Sequence, residues 1–247
     1  MKKLMTRLMR KSGQCHPRCC AIVPAAGSSR RMGGENKLLL HLDGVPVLAR
    51  TLQALDRAEL VDEIVIATRE EDLLEVAELC KLHGITKPVK VVRGGASRLE
   101  SVLLAGLECG KDTEYIAVHD GARPLVEPEL IDRTIRLAHR VKAAAPGVPV
   151  KDTIKVVTEE GVVRSTPRRS TLRAIQTPQV FDADLLRSAL QHASDTGAEV
   201  TDDCSAVELL GKEICLTDGS YENIKITTPE DIVLAESILR RREELGK

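Results

Sequence analysis

A short stretch near the start of the chain constrains the fold more than any other, because an apolar run gives way there to a glycine-rich, basic loop. The run covers residues 21–26, and its continuous apolar character is typical of a strand buried on both faces. The loop after it carries three glycines and three cations, namely Gly27, Gly33, Gly34, Arg30, Arg31 and Lys37. Glycines let backbone N–H groups approach an anion closely, and cations supply charge where phosphate oxygens would lie. The stretch therefore predicts either a phosphate-binding loop or an ordinary glycine-rich turn with solvated arginines.

The common phosphate-loop signatures do not fit this stretch. Gly27 and Lys37 are ten positions apart, and no Lys-Ser or Lys-Thr pair follows a glycine, so the loop is not a Walker A motif. The three-glycine fingerprint of dinucleotide-binding proteins is also missing from the loop. The loop alone therefore does not identify its ligand.

Strand-like and helix-like segments alternate after the loop. Residues 63–68 and 89–92 have the apolar composition of buried strands, and residues 46–58 and 70–83 have helical periodicity. This alternation predicts one α/β domain with a Rossmann-like, mostly parallel sheet and helices on both faces. Because ligands of such sheets bind beyond the carboxyl ends of the strands, we expect the first loop and the segment after residue 92 to lie on one rim.

The overall composition excludes several classes of function. The 247 residues carry a net charge of −1, and the only aromatic side chains are Tyr115, Phe181 and Tyr221. Neither bulk attraction to nucleic acid nor single-strand binding on aromatic platforms is therefore expected. No apolar run approaches the roughly 18 residues of a membrane span, so we expect a soluble protein without membrane contact. Seven cysteines without a spacing pattern favour a reducing cytoplasm.

Residues 1–20 differ from the rest of the chain. They contain six Lys or Arg and no acidic residue, whereas the remainder has 30 basic and 37 acidic residues. We consider a targeting peptide, but the segment has no apolar core, and a disordered extension or an upstream start fits better. Cys15, His16, Cys19 and Cys20 suggest a metal site, yet no second Cys or His pair follows at zinc-site spacing. We therefore expect the folded domain to cover residues 21–247.

Two further segments combine a structural signal with chemistry. Ser97 and Glu100 predict a capping box for a helix that follows two glycines. A strand over residues 115–118 leads into His119 and Asp120. A carboxylate at the carboxyl end of a strand can hold magnesium or a sugar hydroxyl, or it can simply begin a turn. We expect His119 to be structural, because a lone histidine beside a strand more often bonds a backbone partner.

The second half of the chain is predicted to carry a hairpin and late elements of the same domain. Residues 154–166 form two β-prone runs around a Glu-Glu-Gly turn, and an isolated hairpin needs support from elsewhere. The prolines in residues 143–150 favour a strand near an edge of the sheet. Thr201 is expected to cap a helix. A strand over residues 223–226 would turn Lys225 toward the site and its isoleucine neighbours toward the core.

Several motifs give the chain a resemblance to a known family. They are Pro-Ala-Ala-Gly-x-x-x-Arg-Met at 24–32, Gly-Gly-x-x-Arg-x-x-Ser-Val at 94–102, His-Asp-x-Ala-Arg-Pro at 119–124, Thr-Pro-Gln at 177–179, Thr-Asp-x-x-Ser-Ala at 201–206 and Asn-Ile-Lys-x-Thr at 223–227. From about residue 20 to residue 239 the chain resembles the pyrophosphorylase-type nucleotidyltransferases, and within them the 2-C-methyl-D-erythritol 4-phosphate cytidylyltransferases. The resemblance implies transfer from CTP to a methylerythritol phosphate in the non-mevalonate route to isoprenoids, with Mg2+ as cofactor. Two departures are the loop Gly-Gly-Glu-Asn-Lys-Leu, where many members have Pro-Lys-Gln, and Ala96, where a polar residue often faces the base.

The resemblance also implies roles for individual residues. It assigns catalysis to Arg31, Lys37, Arg169 and Lys225. It assigns substrate binding to Pro24, Ala25, Ala26, Gly27, Gly95, Arg98, Ser101, Asp120, Gly121, Arg123 and Thr153, with Asp120 also a possible magnesium ligand. Gly95 and Ser101 would test the cytosine, and Thr153 with Arg169 would contact the acceptor phosphate. The family's equivalent of residues 150–172 is an arm that clasps a second subunit, so the resemblance implies a homodimer in which Arg169 reaches the neighbour's site.

Two alternatives to this assignment remain open at the level of sequence. A ribitol-phosphate cytidylyltransferase of the same fold would keep the CTP half of the site and change the acceptor half. A non-catalytic homologue would be expected to lose the cations of the phosphate loop, and this chain keeps them.

Overall fold

The computed structural model describes residues 16–27 and 36–246 of the chain. The predictions for Arg30, Arg31, Gly33 and Gly34, and those for residues 1–15, lie outside the described residues. The strands are β1 (Cys19–Pro24), β2 (His41–Leu42), β3 (Val45–Pro46), β4 (Glu63–Thr68), β5 (Val89–Arg93), β6 (Tyr115–Val118), β7 (Ala143–Pro149), β8 (Val156–Val157), β9 (Val163–Ser165), β10 (Arg173–Ile175), β11 (Gln179–Asp182) and β12 (Cys215–Asp218). The helices are α1 (Val47–Arg57), α2 (Leu73–Leu82), α3 (Arg98–Glu108), α4 (Pro128–Val141), α5 (Ala183–Thr196), α6 (Asp203–Glu208) and α7 (Pro229–Glu244), with short 3-10 turns at Glu70–Asp72 and Arg169–Thr171.

Within the described ranges, eight strands form one mixed sheet with β1 near its centre. The order from one edge is β5, β4, β1, β6, β11, β7 and β12, with β10 continuing along β7 beyond β11. The strands β1, β4, β5 and β6 pair in parallel, as do β7 and β12, whereas β11 runs antiparallel to both β6 and β7. The predicted mostly parallel sheet is confirmed. The strand with the prolines, β7, is paired on both sides and lies next to the edge strand β12.

Helices cover both faces of the sheet, as predicted. Side chains of β1 alternate between the two faces because successive residues of a strand point in opposite directions. Ala21 and Val23 pack with α1, α2, α4 and α7 on one face, and Cys20 and Ile22 pack with α3, α5 and α6 on the other. The continuous apolar character of residues 21–26 therefore reflects burial on two sides. Among the described residues, no helix combines the length and apolar composition that a membrane span requires.

Of the two predicted helix caps, the one at Ser97 is confirmed and the one at Thr201 is not. Ser97 caps α3 as expected, because its hydroxyl accepts from the Glu100 N–H at 3.1 Å. The Glu100 carboxylate, however, accepts from the N–H of Ala96 at 2.7 Å, so the expected reciprocal bond is displaced by one residue. The prediction for Thr201 is wrong: Asp202 caps α6, and a carboxylate one residue nearer the helix reaches the free N–H groups better.

The predicted strand over residues 223–226 is wrong as well. This segment is a loop between β12 and α7, and the Ile226 N–H donates to the Ala122 carbonyl at 2.8 Å rather than to a neighbouring strand. Ile226 is nevertheless fully buried and Lys225 faces the opposite way, toward Asp120. The predicted alternation of the side chains is therefore correct, although the segment pairs with no strand of the described sheet.

The predicted hairpin is confirmed as an arm that stands away from the sheet. Its strands β8 and β9 pair antiparallel, and the turn between them holds Gly161 at a φ of +80°, a conformation that glycine adopts without strain. Most residues between 151 and 173 are exposed. The arm therefore makes few contacts with the rest of its own chain.

Candidate active site

A cleft of about 390 Å³ opens at the carboxyl ends of β1, β5 and β6, where the loops after these strands meet. It is lined by Pro24, Ala25, Ala26, Gly27, Lys37, Leu38, Gly95, Ala96, Ser97, Arg98, Ser101, Asp120, Gly121, Ala122 and Lys225. The volume is that of a site for a small molecule. The cleft brings together residues that were predicted separately from the sequence. They are residues 24–27, the base-facing Gly95 and Ser101, the carboxylate of Asp120, and the lysines Lys37 and Lys225.

The carboxylate of Asp120 is the electrostatic centre of the cleft. Its Oδ2 atom lies 2.8 Å from Lys225 Nζ, and its Oδ1 atom lies 3.4 Å from an Arg98 nitrogen. Arg123 approaches the same group from behind, at 3.6 Å. Burial opposes ionisation of Asp120, but the attraction of Lys225, Arg98 and Arg123 outweighs it and holds the pKa well below its usual range. The group is therefore a fixed negative charge among cations.

Arg98 is held between two carboxylates. Its guanidinium bonds Asp203 at 2.7 Å, and Asp203 is 1% exposed. Burial alone would lower the pKa of Arg98, but Asp203 and Asp120 together raise it. Asp203 was not predicted as a site residue, although the Thr-Asp-x-x-Ser-Ala motif contained it. Its contribution is to fix the direction of Arg98 at the wall of the cleft.

The segment before α3 packs closely on the end of β1. A Cβ atom on Gly94 would lie 2.8 Å from Ala26 Cβ and 2.9 Å from Ser101 Oγ. The Ser101 hydroxyl donates to the Ser97 carbonyl at 2.8 Å and accepts from the Gly95 N–H at 3.0 Å. Ser101 is 2% exposed, so its hydroxyl shapes the loop that faces the cleft.

The two described lysines approach the cleft from opposite ends of the chain. Lys37 Nζ donates to the Ile226 carbonyl at 2.9 Å, which links the first loop to the segment that carries Lys225. Lys225 is 39% exposed at its side chain and points into the cleft toward Asp120. Positive charge from residues almost two hundred positions apart is thereby concentrated at one rim.

Three of the predicted substrate-contacting residues do not reach the cleft of their own chain. Arg123 is 12% exposed at its side chain and donates to the Asn223 carbonyl at 2.7 Å, so it supports the site from behind. Thr153 and Arg169 lie exposed on the arm, where Arg169 donates to the Lys151 carbonyl at 2.9 Å. The resemblance had implied this separation for the arm residues, but not for Arg123, because a motif carries no information on which side of a loop a side chain faces.

His119 is a buried, neutral histidine, as its expected structural role requires. Burial lowers its pKa from 6.5 to about 4. Its Nδ1 atom lies 3.0 Å from the Thr177 hydroxyl, and its Nε2 atom lies 3.4 Å from the Arg123 carbonyl. The imidazole does not line the cleft and is no candidate for a general base.

A Rossmann-like sheet with a cationic, glycine-lined cleft at its strand ends is typical of α/β enzymes that bind nucleotides, the nucleotidyltransferases among them. The family model for 2-C-methyl-D-erythritol 4-phosphate cytidylyltransferase matches residues 19–241. The chain belongs to the 2-C-methyl-D-erythritol 4-phosphate cytidylyltransferase family.

Individual relatives agree with this membership. The chain is 46% identical over 219 residues to the 2-C-methyl-D-erythritol 4-phosphate cytidylyltransferase of Bacillus cytotoxicus, covering 88% of this chain and 96% of the relative. It is 45% identical over 224 residues to the enzyme of that name from Desulforamulus reducens, with 90% and 96% covered. Its fold matches the crystal structure of 4-diphosphocytidyl-2C-methyl-D-erythritol synthase from Anaerococcus prevotii with a TM-score of 0.82 and 30% identity, over 90% of this chain and 96% of that one. The Thermus thermophilus 2-C-methyl-D-erythritol 4-phosphate cytidylyltransferase aligns with a TM-score of 0.73 and 32% identity, over 90% and 99%.

Proposed function

We propose that the cleft carries out cytidylyl transfer by aligning CTP with its acceptor and neutralising phosphate charge with lysine and arginine side chains. The reaction of this nucleotidyltransferase is that of its family: CTP and 2-C-methyl-D-erythritol 4-phosphate give the CDP-methylerythritol product and pyrophosphate, in isoprenoid precursor synthesis. The observation that carries the mechanism is that Lys37, Arg98 and Lys225 line one cleft at the strand ends, where Arg98 and Lys225 pair with Asp120.

The chemistry needs positioning and charge rather than a protein base. An oxygen of the acceptor phosphate attacks the α-phosphorus of CTP in line, the new P–O bond forms, and pyrophosphate leaves with the electrons of the old bond. A phosphate dianion is already nucleophilic near neutral pH, because its second pKa is about 6. The enzyme therefore gains rate by holding the two phosphates together and by stabilising the extra charge of the transition state.

In this mechanism the nucleotide occupies the half of the cleft formed by β1 and α3. The backbone of residues 24–27 holds the phosphates, with Lys37 and Arg31 on the α-phosphorus. Gly95 and Ser101 present the loop that reads the cytosine by hydrogen bonding, with Arg98 beside it. The close packing of that loop on Ala26 supports this assignment, because it fixes the distance between the base and phosphate positions.

The acceptor occupies the half of the cleft next to Lys225. Lys225 forms an ion pair with Asp120 and is exposed enough to exchange that partner for the acceptor phosphate. Arg123 contributes from behind by holding the Asn223 carbonyl close to the same segment. Thr153 and Arg169 complete the acceptor site from the arm of a second subunit.

The residues of the cleft suit a magnesium ion that is bound mainly by the phosphates of CTP. Asp120 offers one ionised carboxylate at the surface of the cleft, and magnesium commonly takes one or two carboxylates together with substrate phosphates. Among the described residues no group of three or more His, Cys, Asp or Glu side chains could hold an ion without the nucleotide. When bound, the ion would neutralise charge on the triphosphate and favour departure of pyrophosphate.

The partner in this proposal is a second copy of the chain, joined through the arm at residues 150–172. Apolar side chains on the arm are 41–60% exposed, namely Ile154, Val156, Val157, Val162 and Val163. A two-stranded hairpin with such a surface is marginal alone and is stabilised when another surface covers it. Burial against a second arm would do so and would carry Arg169 toward the neighbouring cleft. The free thiols at positions 19, 20, 80, 109, 204 and 215 favour a cytoplasmic location for the dimer.

The decisive experiment compares pyrophosphate release by the wild-type enzyme and by Lys37→Ala. We expect turnover with CTP and methylerythritol phosphate to fall by at least about 100-fold in Lys37→Ala, as for loss of one preorganised donor. The matched control is Lys111→Ala, because Lys111 is exposed on a turn outside the cleft. Normal turnover in Lys37→Ala would remove this lysine from the mechanism.

The same assay separates the remaining alternatives by changing the acceptor. The matched family and its relatives favour methylerythritol phosphate over ribitol phosphate. Turnover with ribitol phosphate in preference would reassign the acceptor half of the site. No turnover with either acceptor in a folded protein would identify a non-catalytic homologue.

A further inference from the structure

Thr177 lies directly behind the cleft and is used by none of the roles described above. It precedes β11, is 4% exposed and does not line the cleft. Its hydroxyl accepts from the Asp120 N–H at 3.1 Å and lies 3.0 Å from His119 Nδ1. Its carbonyl accepts from the side chain of Asn223 at 2.9 Å. One buried residue therefore touches both chain segments that supply the ion pair of the cleft.

The proton positions in this cluster follow from donor and acceptor chemistry. A backbone N–H can only donate, so the Thr177 hydroxyl accepts from Asp120. A neutral imidazole has one bare nitrogen and one protonated nitrogen. With the proton on Nε2, His119 accepts the Thr177 proton at Nδ1 and donates to the Arg123 carbonyl 3.4 Å from Nε2. With the proton on Nδ1, the bare Nε2 would face a carbonyl oxygen, and two acceptors would repel each other.

These bonds fix both ends of the turn that carries the central carboxylate. The Asp120 N–H is held by Thr177, and the Arg123 carbonyl is held by His119. Within the turn, the Arg123 N–H donates to the Asp120 carbonyl at 3.1 Å. The threonine hydroxyl and the imidazole therefore help to fix the orientation of this turn, together with the bonds that Gly121 and Ala122 accept at their carbonyls.

The carbonyl of Thr177 also holds the segment that carries Lys225, the other partner of the ion pair. Asn223 is fully buried, donates to Thr177 and lies two positions before Lys225. Its own carbonyl accepts from Arg123 at 2.7 Å. The separation of 2.8 Å between Lys225 Nζ and Asp120 is thus set from one side by the bonds to Thr177.

We propose that Thr177 is a positioning residue for cytidylyl transfer, which orients Asp120 through the His119-paired hydroxyl and Lys225 through its carbonyl. The proposal rests on the roles given above to Asp120 and Lys225. It assigns Thr177 no contact with substrate. It predicts an effect on turnover that differs from a general loss of stability.

The test compares two substitutions at the same position with a matched control. Thr177→Val keeps the shape and removes the hydroxyl, and we expect kcat to fall by about 10-fold or more, as for a small displacement of reacting groups. Thr177→Ser keeps the hydroxyl, and we expect its kcat to stay close to that of the wild type. Thr134→Val is the control, because the buried Thr134 hydroxyl bonds the Leu130 carbonyl of its own helix α4, at 2.7 Å, and we expect its kcat to be unchanged.

A spectroscopic readout keeps the proposal testable if Thr177→Val does not fold. In the wild-type protein, nitrogen NMR of His119 should show a protonated Nε2 and a hydrogen-bonded, unprotonated Nδ1. A proton on Nδ1 would overturn the proposal, as would a wild-type kcat in folded Thr177→Val or a failure of Thr177→Ser to restore it. Lys225→Ala in the same assay distinguishes failure of the proposed site from failure of the Thr177 proposal. Wild-type turnover in Lys225→Ala overturns the proposed site. Lost turnover in Lys225→Ala together with wild-type turnover in Thr177→Val overturns only the role of Thr177.

Discussion

At the scale of single residues, the ionisation of the site's groups is set by the balance between burial and neighbouring charges. Asp120 stays ionised because three cations compensate for its removal from water. His119, the preceding residue, stays neutral because its burial outweighs the attraction of Asp120. The contrast between adjacent residues in the chain separates a charged group at the cleft from a neutral one behind it.

The buried neutral histidine makes a signed prediction for stability against pH. The folded-state pKa of His119 is about 4, below its ordinary value of 6.5, so between these values the unfolded chain binds a proton that the folded protein does not. His119 therefore leaves stability unaffected above pH 6.5 and lowers the free energy of unfolding as the pH falls toward 4, by about 3 kcal/mol in total. Urea unfolding at several pH values measures this slope.

The matching variant for that measurement is His119→Asn, which cannot titrate. It should be less stable at neutral pH, since it loses a buried hydrogen bond, yet its stability should change less between pH 6.5 and 4. His192→Asn is the control, because His192 is exposed on α5. An unchanged slope in His119→Asn would contradict the assignment of the acid-sensitive group.

At the scale of elements, the cleft is made where α3 and its preceding loop pack on the end of β1. The Gly94 N–H donates to the Thr68 carbonyl at 2.7 Å, which brings the loop within contact distance of Ala26. No larger residue fits there without displacing the loop. The close approach of Gly94 to Ala26 therefore sets the shape of the nucleotide half of the site, together with the Ser101 hydroxyl that bonds the same loop.

Two glycine substitutions in this unit should affect different properties, nucleotide binding in one case and stability in the other. Gly94→Ala places a methyl group 2.8 Å from Ala26 Cβ, and we expect KM for CTP to rise about 10-fold because the loop must move. Gly106→Ala within α3 meets only Ile22 Cδ1, at 4.0 Å, and should stabilise the protein by about 0.5–1 kcal/mol without changing KM. Steady-state kinetics and urea unfolding of both variants provide the check. An unchanged KM in Gly94→Ala would show that the loop does not limit nucleotide binding.

At the scale of the whole molecule, the arm is fixed at its root and exposed beyond it. The Tyr221 hydroxyl donates to the Pro149 carbonyl at 2.7 Å, and Lys151 Nζ lies 3.9 Å from the centre of the Tyr221 ring. The Lys151 carbonyl in turn accepts from Arg169. The arm therefore leaves the domain in a defined direction and carries an arginine away from its own cleft.

A mixing experiment tests whether the arm completes the site of a second copy. Lys37→Ala and Arg169→Ala should each be inactive alone, but a mixed dimer would combine an intact core from one chain with an intact arm from the other. Random reassociation should then restore about a quarter of the wild-type activity, since half of the dimers are mixed and half of their sites are intact. If Arg169 acted within its own chain, mixing would restore nothing.

The sequence by itself determined the elements and the loops that carry chemistry, because both depend on local patterns. The apolar run at residues 21–26 specified a strand buried on both faces, and the Glu-Glu-Gly turn specified the arm. Lys37, Asp120 and Lys225 could be chosen from motifs, and all three line the cleft. The strand expected at residues 223–226 was wrong because extended loops and strands share the same side-chain alternation.

Only the tertiary structure decided which of these groups face one another. Arg98 and Asp203 are 105 positions apart, and Asp120 and Thr177 are 57 apart, so no local pattern encodes their pairing. The same holds for Arg123, whose motif position suggests substrate contact but whose side chain is turned behind the cleft. Partner choice over such distances is set by how the helices and strands pack, because packing alone fixes the direction of each buried polar side chain.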